Sequence, residues 1–414
     1  MPTAPLTSMV PGISKAPRLV SIHTHPLTTR VLLRGQLAFL REQGFDVTAI
    51  AAPGPALAEV EREEGVATIG VPMERELSPV RDFVSLLRMF FVLRRLRPQI
   101  VHAGTPKAAL LGMLAAWTLR VPVRIYALKG LRLETLRGMK YHVMAFVERV
   151  TAGCATRVFC ESPSLRKAYV EGGFASLDKA MVIGPGLPNG LDATRYEKGV
   201  YSDEQTAALR SKLGIPAGAP VIGFVGRFVR DKGMVELCDA FESILQHYPE
   251  VRLLLVGDFE AGDPVPADYV QRIVNHPQIV RTGFLADTAP YYPLLDVLAF
   301  PSYHEGFPNV PMEAAAAEVP TVGYRATGTV DAVLDGVTGT IVDCGDAAAL
   351  RTALLRYFDD PELRRRHGAA ARLRVTTEFR REPIWNATIA EYRRLLAEQG
   401  VPAPCLAARE TPAG

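Results

Sequence analysis

Two runs of alternating strands and helices constrain the fold of this chain more than any other feature. The first run extends from residue 19 to residue 171, and the second begins at Val221. Between them, residues 184–220 carry several glycines and prolines and a single clear helical segment. Short apolar strands joined by helices are typical of parallel sheets that are covered on both faces. The sequence therefore predicts an α/β protein with two doubly wound parallel-sheet domains that face a cleft, with a ligand at the carboxyl ends of the strands.

The 414 residues suffice for two domains of ordinary size. Residues 32–42 are predicted to form one helix that ends at Gly44. The predicted parts, in chain order, are a mobile tail (1–17), an N-terminal domain (18–186), an interdomain linker (187–219), a C-terminal domain (220–380), a C-terminal helix (381–399) and a second mobile tail (400–414).

Cysteine usage and hydropathy indicate a cytoplasmic protein. The first 17 residues lack the apolar core of a signal peptide, and the longest apolar run, residues 108–117, is too short to span a bilayer. Any contact with a membrane is therefore expected at its surface. Five scattered cysteines without metal-binding spacing favour reduced thiols over disulfides or a zinc site: Cys154, Cys160, Cys238, Cys344 and Cys405.

Positive charge is concentrated in one part of the chain. Residues 75–150 hold 14 Lys or Arg and 4 Asp or Glu, whereas the net charge of the whole chain is only +3. Nucleic acid, an anionic bilayer or a phosphorylated substrate would each account for such a basic surface. Residues 83–97 and 129–149 mix arginine and lysine with phenylalanine, leucine and methionine, which suits an anionic membrane surface. Core helices with charged outer faces are the alternative for each segment alone, and the charge asymmetry favours the membrane.

The first candidate site is the loop Gly226–Gly233, where a strand ends and a helix begins. Gly226 permits close approach of the backbone, and Arg227 and Lys232 supply N–H donors beside a helix N-terminus. Such a loop can neutralise a diphosphate, although a solvated loop with two exposed cations is the alternative. The phosphate-binding pattern Gly-x-x-x-x-Gly-Lys-Ser/Thr is absent from this loop.

The second candidate site lies between a buried strand that ends at Phe300 and a helix predicted from Met312. Two carboxylates, Glu305 and Glu313, bracket a loop that contains Gly306 and two prolines. Carboxylates accept hydrogen bonds from hydroxyl groups, and a helix start attracts anions. Two solvent-facing glutamates beside a turn are the alternative. With the cationic loop in the same domain, the pattern instead favours a phosphorylated ligand that is rich in hydroxyl groups.

Together, Arg227, Lys232 and the Glu305/Glu313 pair resemble the signature of the retaining glycosyltransferases of family four. This resemblance implies the GT-B fold, with two Rossmann-like domains, and it covers nearly all of residues 19–397. It also implies that the C-terminal helix crosses back to the first domain. Three further stretches resemble a subgroup that builds bacterial surface polysaccharides by moving a sugar from a UDP-sugar to a lipid-diphosphate-linked acceptor: 101–107, 189–192 and 335–339.

The resemblance implies a role for each residue of the two loops. Arg227 and Lys232 would bind the donor diphosphate and stabilise the departing UDP, where negative charge grows. Glu305 would bind hydroxyls of the donor sugar, and Glu313 would bind the ribose. The remaining donor-binding residues implied are Gly226, Gly283, Phe284, Gly306, Phe307, Pro308, Asn309 and Val310. No metal and no cofactor beyond the nucleotide-sugar are expected.

On the acceptor side, the sequence departs from many members of the family. Lys129 stands where they have a histidine near the donor sugar, and an exposed loop lysine is the alternative to a functional one. Residues 25–30 replace a glycine pair that follows the first strand. His102 is predicted more readily as a partly buried histidine than as a catalytic one. The remaining candidates on this side are Thr105, Lys107 and Asn189.

These observations predict a retaining, metal-independent enzyme that moves a hexose or N-acetylhexosamine. The expected donor is a UDP-sugar, and the expected acceptor is a polyprenyl-diphosphate-linked glycan at the inner face of the cell membrane. The other expected partner is the anionic membrane surface, and no nucleic acid is expected. The alternatives are a UDP-sugar 2-epimerase of the same fold, a soluble sucrose- or glycogen-type synthase and a non-catalytic nucleotide-binding module.

Overall fold

The computed structural model of the chain describes residues 16–74, 78–197 and 199–402. The strands are β1 (Arg18–Ile22), β2 (Asp46–Ala51), β3 (Ala67–Gly70), β4 (Ile100–Gly104), β5 (Val123–Leu128), β6 (Arg157–Cys160), β7 (Ala180–Val182), β8 (Val221–Val225), β9 (Arg252–Val256), β10 (Ile279–Arg281), β11 (Val297–Phe300), β12 (Thr321–Tyr324) and β13 (Gly339–Val342).

The α-helices alternate with these strands until the C-terminal segment, which is entirely helical. They are α1 (Pro26–Leu32), α2 (Gln36–Glu42), α3 (Pro55–Glu64), α4 (Pro79–Leu96), α5 (Pro106–Thr118), α6 (Gly138–Cys154), α7 (Pro163–Glu171), α8 (Asp203–Lys212), α9 (Met234–Leu245), α10 (Ala267–Asn275), α11 (Asn309–Ala316), α12 (Thr329–Ala332), α13 (Ala347–Asp359), α14 (Pro361–Glu378) and α15 (Arg381–Glu398). Short 3-10 helices include 132–134 and 230–232.

The strands form two sheets, in the orders β3-β2-β1-β4-β5-β6-β7 and β10-β9-β8-β11-β12-β13. In the first sheet, Val20 pairs in parallel with Thr48 of β2 and Val101 of β4. In the second, Ile222 pairs in parallel with Leu253 of β9 and Val297 of β11. Each sheet thus reverses its strand order beside its first strand, which is where doubly wound folds bind ligands. The predicted α/β class with two doubly wound sheets is confirmed.

Burial on both faces explains why these strands read as nearly continuous apolar runs. Every residue of β8 and of β11 is buried. Along β8, Ile222 and Phe224 join one apolar cluster, whereas Val221 and Val225 join the other, because successive side chains point to opposite faces. The second sheet therefore lies between two layers of core, and its strand ends are held rigidly.

The chain divides into two compact units. The first contains the described residues up to Ala127, residues 150–157 and those from Ile389 onward, and the second contains 128–149 and 158–388. Helix α15 begins in the second unit and ends in the first. The predicted domain bounds remain a prediction.

One predicted helix is wrong. Residues 32–42 do not form a single helix, because the chain breaks between α1 and α2 at Gly35, which has a φ of 80°. Glycine adopts this left-handed backbone conformation without strain, and here it precedes the first residue of α2. The helix predicted from Met312 begins earlier, at Asn309. The predicted tails fall almost entirely outside the described residues, and so does Cys405.

Candidate functional site

The loop after β8 and the loop after β11 touch at the carboxyl ends of two neighbouring strands. Gly233 has a φ of 71°, and a Cβ atom at this position would stand 2.2 Å from the carbonyl oxygen of Pro301. The Tyr303 N–H donates to the carbonyl oxygen of Asp231 at 3.0 Å. A residue larger than glycine at position 233 would push the loops apart, so the two predicted candidate stretches form one site.

Lys232 and Glu305 form an ion pair between these loops. The Lys232 ammonium donates to Glu305 Oε1 and, at 3.2 Å, to the hydroxyl of Ser302. The side chains of Lys232 and Glu305 are 18% and 16% exposed, and Ser302 is buried. Partial burial strengthens the attraction between the charges while both groups stay within reach of solvent. The structure thus brings the predicted phosphate ligand and the predicted sugar ligand into contact.

A second contact between the two loops, from a histidine to a carboxylate, lies beside the first. His304 Nε2 is 3.2 Å from Asp231 Oδ2, and the Thr135 hydroxyl lies 3.4 Å from the same oxygen. The hydrogen bond from His304 lowers the pKa of the Asp231 carboxyl. Asp231 and Lys232 are consecutive on one loop, and His304 and Glu305 are consecutive on the other. The two adjacent pairs therefore fix the register of one loop against the other.

Thr327, in the loop after β12, connects the segment after β5 to the loop that carries Glu305. The Thr327 hydroxyl donates to Glu134 Oε1 at 2.5 Å, and the Thr327 carbonyl accepts from the Glu305 N–H at 3.0 Å. Burial raises the pKa of the Glu134 carboxyl. A carboxyl group that resists ionisation adds less negative charge to a cluster that already contains Asp231 and Glu305.

Lys129 belongs to the same neighbourhood. Its ammonium donates to Glu161 Oε1 at 2.8 Å, and the two side chains are 16% and 12% exposed. A Cβ atom at Gly306 would lie 2.5 Å from both the Lys129 carbonyl oxygen and Glu161 Oε2. Lys129 is thus a mostly buried, paired residue packed against the Glu305 loop, and its functional role stays a prediction.

Glu313 occupies a different environment from Glu305. Its Oε2 accepts a hydrogen bond of 2.5 Å from the hydroxyl of Tyr292, whose ring is fully buried and packs edge-on against Tyr196. Burial raises the pKa of the Glu313 carboxyl, and the tyrosine hydroxyls oppose this shift only in part. Glu313 is fixed by aromatic hydroxyls, whereas Glu305 is fixed by a cation.

Three glycines line the strand ends next to the first loop. The Gly226 N–H donates to the Val256 carbonyl at 2.9 Å, and the Gly257 N–H donates to the Gly283 carbonyl at 3.1 Å. A Cβ atom at Gly257 would stand 1.8 Å from the Gly226 carbonyl oxygen, so any side chain there would displace the loop. Phe284 follows Gly283 and is 70% exposed, which leaves its ring available for stacking.

Arg227 lies on the same loop as Lys232 but has another partner. Its guanidinium is 2.9 Å from Glu260 Oε2, and its side chain is 48% exposed. The predicted pair of cations is therefore split in this structure, with Lys232 on Glu305 and Arg227 on Glu260.

The remaining donor-side candidates lie at the start of α11. Phe307 is buried and its ring centroid is 5.2 Å from that of Phe379. Pro308 precedes the first helical residue, Asn309, which is followed by Val310. The positive end of this helix consequently lies within four residues of Glu305 in the sequence.

The acceptor-side candidates have partners of their own. In the first unit, the Thr105 hydroxyl is 2.8 Å from that of Thr24, and the Lys107 ammonium is 2.7 Å from Asp82. His102 Nδ1 lies 2.5 Å from the hydroxyl of Tyr392, whose ring packs edge-on against Phe45. These interactions fit the prediction of a partly buried histidine.

In the second unit, the carbonyl oxygen of Asn189 accepts a hydrogen bond of 3.0 Å from the indole of Trp385. The roles predicted for all acceptor-side residues remain predictions.

Sequence reasoning missed several residues of the site. Asp231 and Ser302 are adjacent or close to predicted residues, so their positions in the same loops could have indicated them. Glu161 and Tyr292 carry no such signal, because each comes from a separate part of the chain. Only the packing of the second unit brings them to Gly306 and Glu313.

The described residues contain neither a metal centre nor a membrane-spanning helix. Among them, no group of three or more histidine, cysteine, aspartate or glutamate side chains is arranged to hold a metal ion. In the same ranges, no helix combines the length and the apolar character needed to cross a membrane.

Two family models match the chain. One, described as glycosyl transferases group 1, matches residues 219–360, and the other, a glycosyl transferase 4-like domain, matches residues 28–186. The first model therefore contains the Lys232/Glu305 pair, and the second contains Lys129 and Glu161.

Proteins of known name are similar to this chain over most of its length. The capsular polysaccharide biosynthesis glycosyltransferase CapM of Staphylococcus aureus is 34% identical over 89% of this chain and 94% of its own length. An Escherichia coli protein named UDP-Gal:alpha-D-GlcNAc-diphosphoundecaprenol alpha-1,3-galactosyltransferase is 24% identical over 79% of this chain and 84% of its own.

Among solved structures, Anabaena Alr3699/HepE in complex with UDP and glucose superposes with a TM-score of 0.74. It is 21% identical and covers 91% of this chain and 99% of its own. This likeness confirms the predicted GT-B fold. Taken with the two domain matches and the similarity to CapM over almost its whole length, it leads to one conclusion. The chain belongs to the family-four type of GT-B glycosyltransferases.

Proposed function

We propose that this glycosyltransferase is a retaining enzyme that transfers a hexose or N-acetylhexosamine from a UDP-sugar to a polyprenyl-diphosphate-linked glycan in surface polysaccharide biosynthesis. The observation that carries the proposal is the contact of Lys232 with Glu305 at the ends of β8 and β11. The names of two relatives support the process and the acceptor class, since one acts in capsule biosynthesis and the other on a diphosphoundecaprenol-linked sugar.

In the proposed reaction, the bond between the anomeric carbon and the diphosphate breaks, and an acceptor oxygen bonds to that carbon on the same face. The acceptor proton passes to the departing diphosphate. Negative charge then grows on the diphosphate, where Lys232 and Arg227 act most strongly. Glu305 holds sugar hydroxyls and balances the charge of Lys232 before the donor arrives. No metal ion takes part in this proposal.

The nucleotide end of the proposed site is supported by different chemistry. The carboxyl of Glu313, oriented by Tyr292, can accept hydrogen bonds from ribose hydroxyls. Phe284 offers an exposed ring to the base, and Gly226 and Gly283 leave room beside the strand ends. The similar Anabaena protein is in complex with UDP and glucose, which supports a UDP-sugar as the donor.

We also propose that the protein binds the anionic inner face of the cell membrane from the cytoplasm. Helix α4 exposes Phe83, Leu87 and Phe91, and it carries Arg88 and Arg95 on its exposed side. Apolar side chains framed by arginines match a surface that is apolar below and negatively charged above. Helix α6 shows the same combination, with exposed Met139, Val143, Phe146, Lys140 and Arg149.

The proposal is tested by incubating the purified protein with UDP- and GDP-sugars and with polyprenyl-diphosphate-linked glycans. We expect transfer from a UDP-sugar in the presence of a chelator, with the anomeric configuration retained in the product by NMR. Lys232→Ala and Glu305→Ala should greatly reduce the rate of transfer, whereas the surface variant Glu362→Gln should not.

Other outcomes would overturn the proposal in distinct ways. Release of a free epimerised UDP-sugar without an acceptor would identify an epimerase. Donor binding without turnover, unchanged in the Lys232 and Glu305 variants, would identify a non-catalytic binding module. An inverted product would leave the family assignment intact and refute the retaining mechanism.

A further inference from the structure

A carboxylate that no sequence motif indicates lies against the loop that carries Glu305. Glu161 follows β6, and its Oε2 is 2.5 Å from the position that a Cβ atom on Gly306 would occupy. The Glu161 backbone is held on both sides, because its N–H donates to Leu128 and its carbonyl accepts from Leu187. The side chain is 12% exposed. Glu161 is thus a fixed group beside Gly306, the residue after the proposed sugar ligand.

The partner of Glu161 is Lys129, and this pairing sets the charge near Gly306. The two side chains form an ion pair of 2.8 Å, and the Lys129 carbonyl also lies against Gly306. On the other side of the same loop, Lys232 is paired with Glu305. Each of these lysines therefore has a carboxylate as its partner, and neither presents an unbalanced positive charge to a sugar.

We propose that Glu161, paired with Lys129, is a specificity-determining residue that restricts the donor to sugars without a carboxylate and excludes hexuronic acids. The inference rests on the proposed function, since it takes the Glu305 loop as the sugar end of the donor site. A hexuronate carboxylate would lie beside Glu161 and Glu305, whose lysines are already engaged in ion pairs, so neither lysine would compensate for the cost of removing its charge from water. A neutral sugar meets only hydrogen-bond acceptors and donors there.

The experiment measures dissociation constants by calorimetry for UDP, UDP-glucose, UDP-N-acetylglucosamine and UDP-glucuronate. In the unmodified protein, we expect the better of the two neutral sugar nucleotides to bind at least about tenfold more tightly than UDP-glucuronate. In Glu161→Gln, which keeps the shape of the side chain, Lys129 loses its counter-charge. The preference should then shrink by about tenfold, because the lysine attracts the glucuronate carboxylate.

Two further variants oppose or restore this effect. Lys129→Met leaves Glu161 unpaired and should widen the preference for a neutral sugar. Exchange of the two charges, Lys129→Glu with Glu161→Lys, should bring the preference back towards that of the unmodified protein. Glu362→Gln, which removes a charge from an exposed pair with Arg365 on α14, is the matched control and should leave the preference unchanged.

UDP separates failure of this inference from failure of the proposed function. If the unmodified protein binds none of the four ligands, the proposed donor site itself is refuted, and the inference falls with it. If UDP binds and the protein holds UDP-glucuronate as tightly as the neutral sugar nucleotides, only the role of Glu161 is refuted. The same holds if Glu161→Gln binds UDP but keeps the original preference.

Discussion

The strand ends of the second sheet and those of the first sheet differ in where their charged side chains are directed. After β8 and β11, Lys232 and Glu305 bridge two loops across a partly exposed site. After β4, Lys107 instead bridges two helices, because its ammonium pairs with Asp82 of α4. Both regions have the same strand–loop–helix topology. The difference lies in the partners of the two lysines. Lys232 is placed where a ligand could replace its partner, whereas Lys107 joins two helices of the first unit.

Lys107, which joins two helices, is less exposed than Lys232, which lies in the charged site. The Lys107 side chain is 9% exposed and that of Lys232 is 18% exposed, with Ser302 as an additional partner for Lys232. By joining α4 to α5, Lys107 fixes one side of α4, and the other side of that helix exposes phenylalanines. Helix α4, beside the first sheet, thus exposes an apolar surface. The loops after β8 and β11 of the second sheet form a charged site.

The largest effect is expected from comparing Lys232→Ala with Lys107→Ala. In the proposed reaction, loss of Lys232 removes a cation from the diphosphate as negative charge grows there, so the rate of sugar transfer should fall about a thousandfold. Loss of Lys107 should lower it less than about tenfold, since the ammonium is engaged by Asp82. Initial rates at saturating donor measure both. If Lys107→Ala loses as much activity as Lys232→Ala, the predicted acceptor-side role of Lys107 is favoured over a scaffold role.

For the free energy of unfolding, we expect replacement of Lys107 to have a larger effect than replacement of Lys232. Lys107→Met leaves the carboxylate of Asp82 mostly buried without its cation, which should lower the free energy of unfolding by about 2 kcal/mol. Asp82→Asn in the same chain should restore part of this loss. Urea denaturation followed by circular dichroism measures the change. Equal losses in Lys232→Ala would show that both lysines serve the scaffold.

The outer surface of α4 provides the third test. Phe83 and Phe91 are 60% and 62% exposed, so changing both to serine should leave the melting temperature unchanged. Binding to vesicles that contain anionic lipid should weaken about tenfold, because the two rings supply apolar area. Phe284→Ser, which removes a ring with 70% exposure from the second unit, is the matched control and should bind vesicles normally. Vesicle binding unaffected by the double change would exclude α4 as the membrane-facing element.

The smallest expected effect concerns Glu313 and pH. Burial raises the pKa of its carboxyl, so the folded protein holds this proton more tightly than the unfolded chain does. The contribution of Glu313 to stability is therefore present at acid pH and is lost as pH rises above about 4.3. Relative to Glu313→Gln, the unmodified protein should therefore lose stability over this rise in pH.

Thermal melts of both proteins between acid and neutral pH measure this difference. If the difference in melting temperature between the two proteins stays constant over this pH range, the tyrosine hydroxyls stabilise the ionised carboxylate enough to cancel the effect of burial.

Much of the fold and part of the site could be predicted from the sequence. The apolar runs over 221–225 and 297–300 predicted strands because burial on both faces leaves no polar alternation. Gly226, Lys232, Glu305 and Glu313 could be chosen because loops between parallel strands and helices carry the ligand in such folds. The break at Gly35 was not predicted, since a glycine within an apolar helical pattern does not by itself show that its φ is positive.

The sequence by itself determined the class of fold, the family and the two loops that form the charged site, because each depends on patterns within a few tens of residues. Only the tertiary structure decided the partners. It placed Asp231 on His304, Arg227 on Glu260, and Glu161 between Lys129 and Gly306. Such pairings depend on which strand ends become neighbours, and electrostatic energy depends on distance and burial that no local pattern contains.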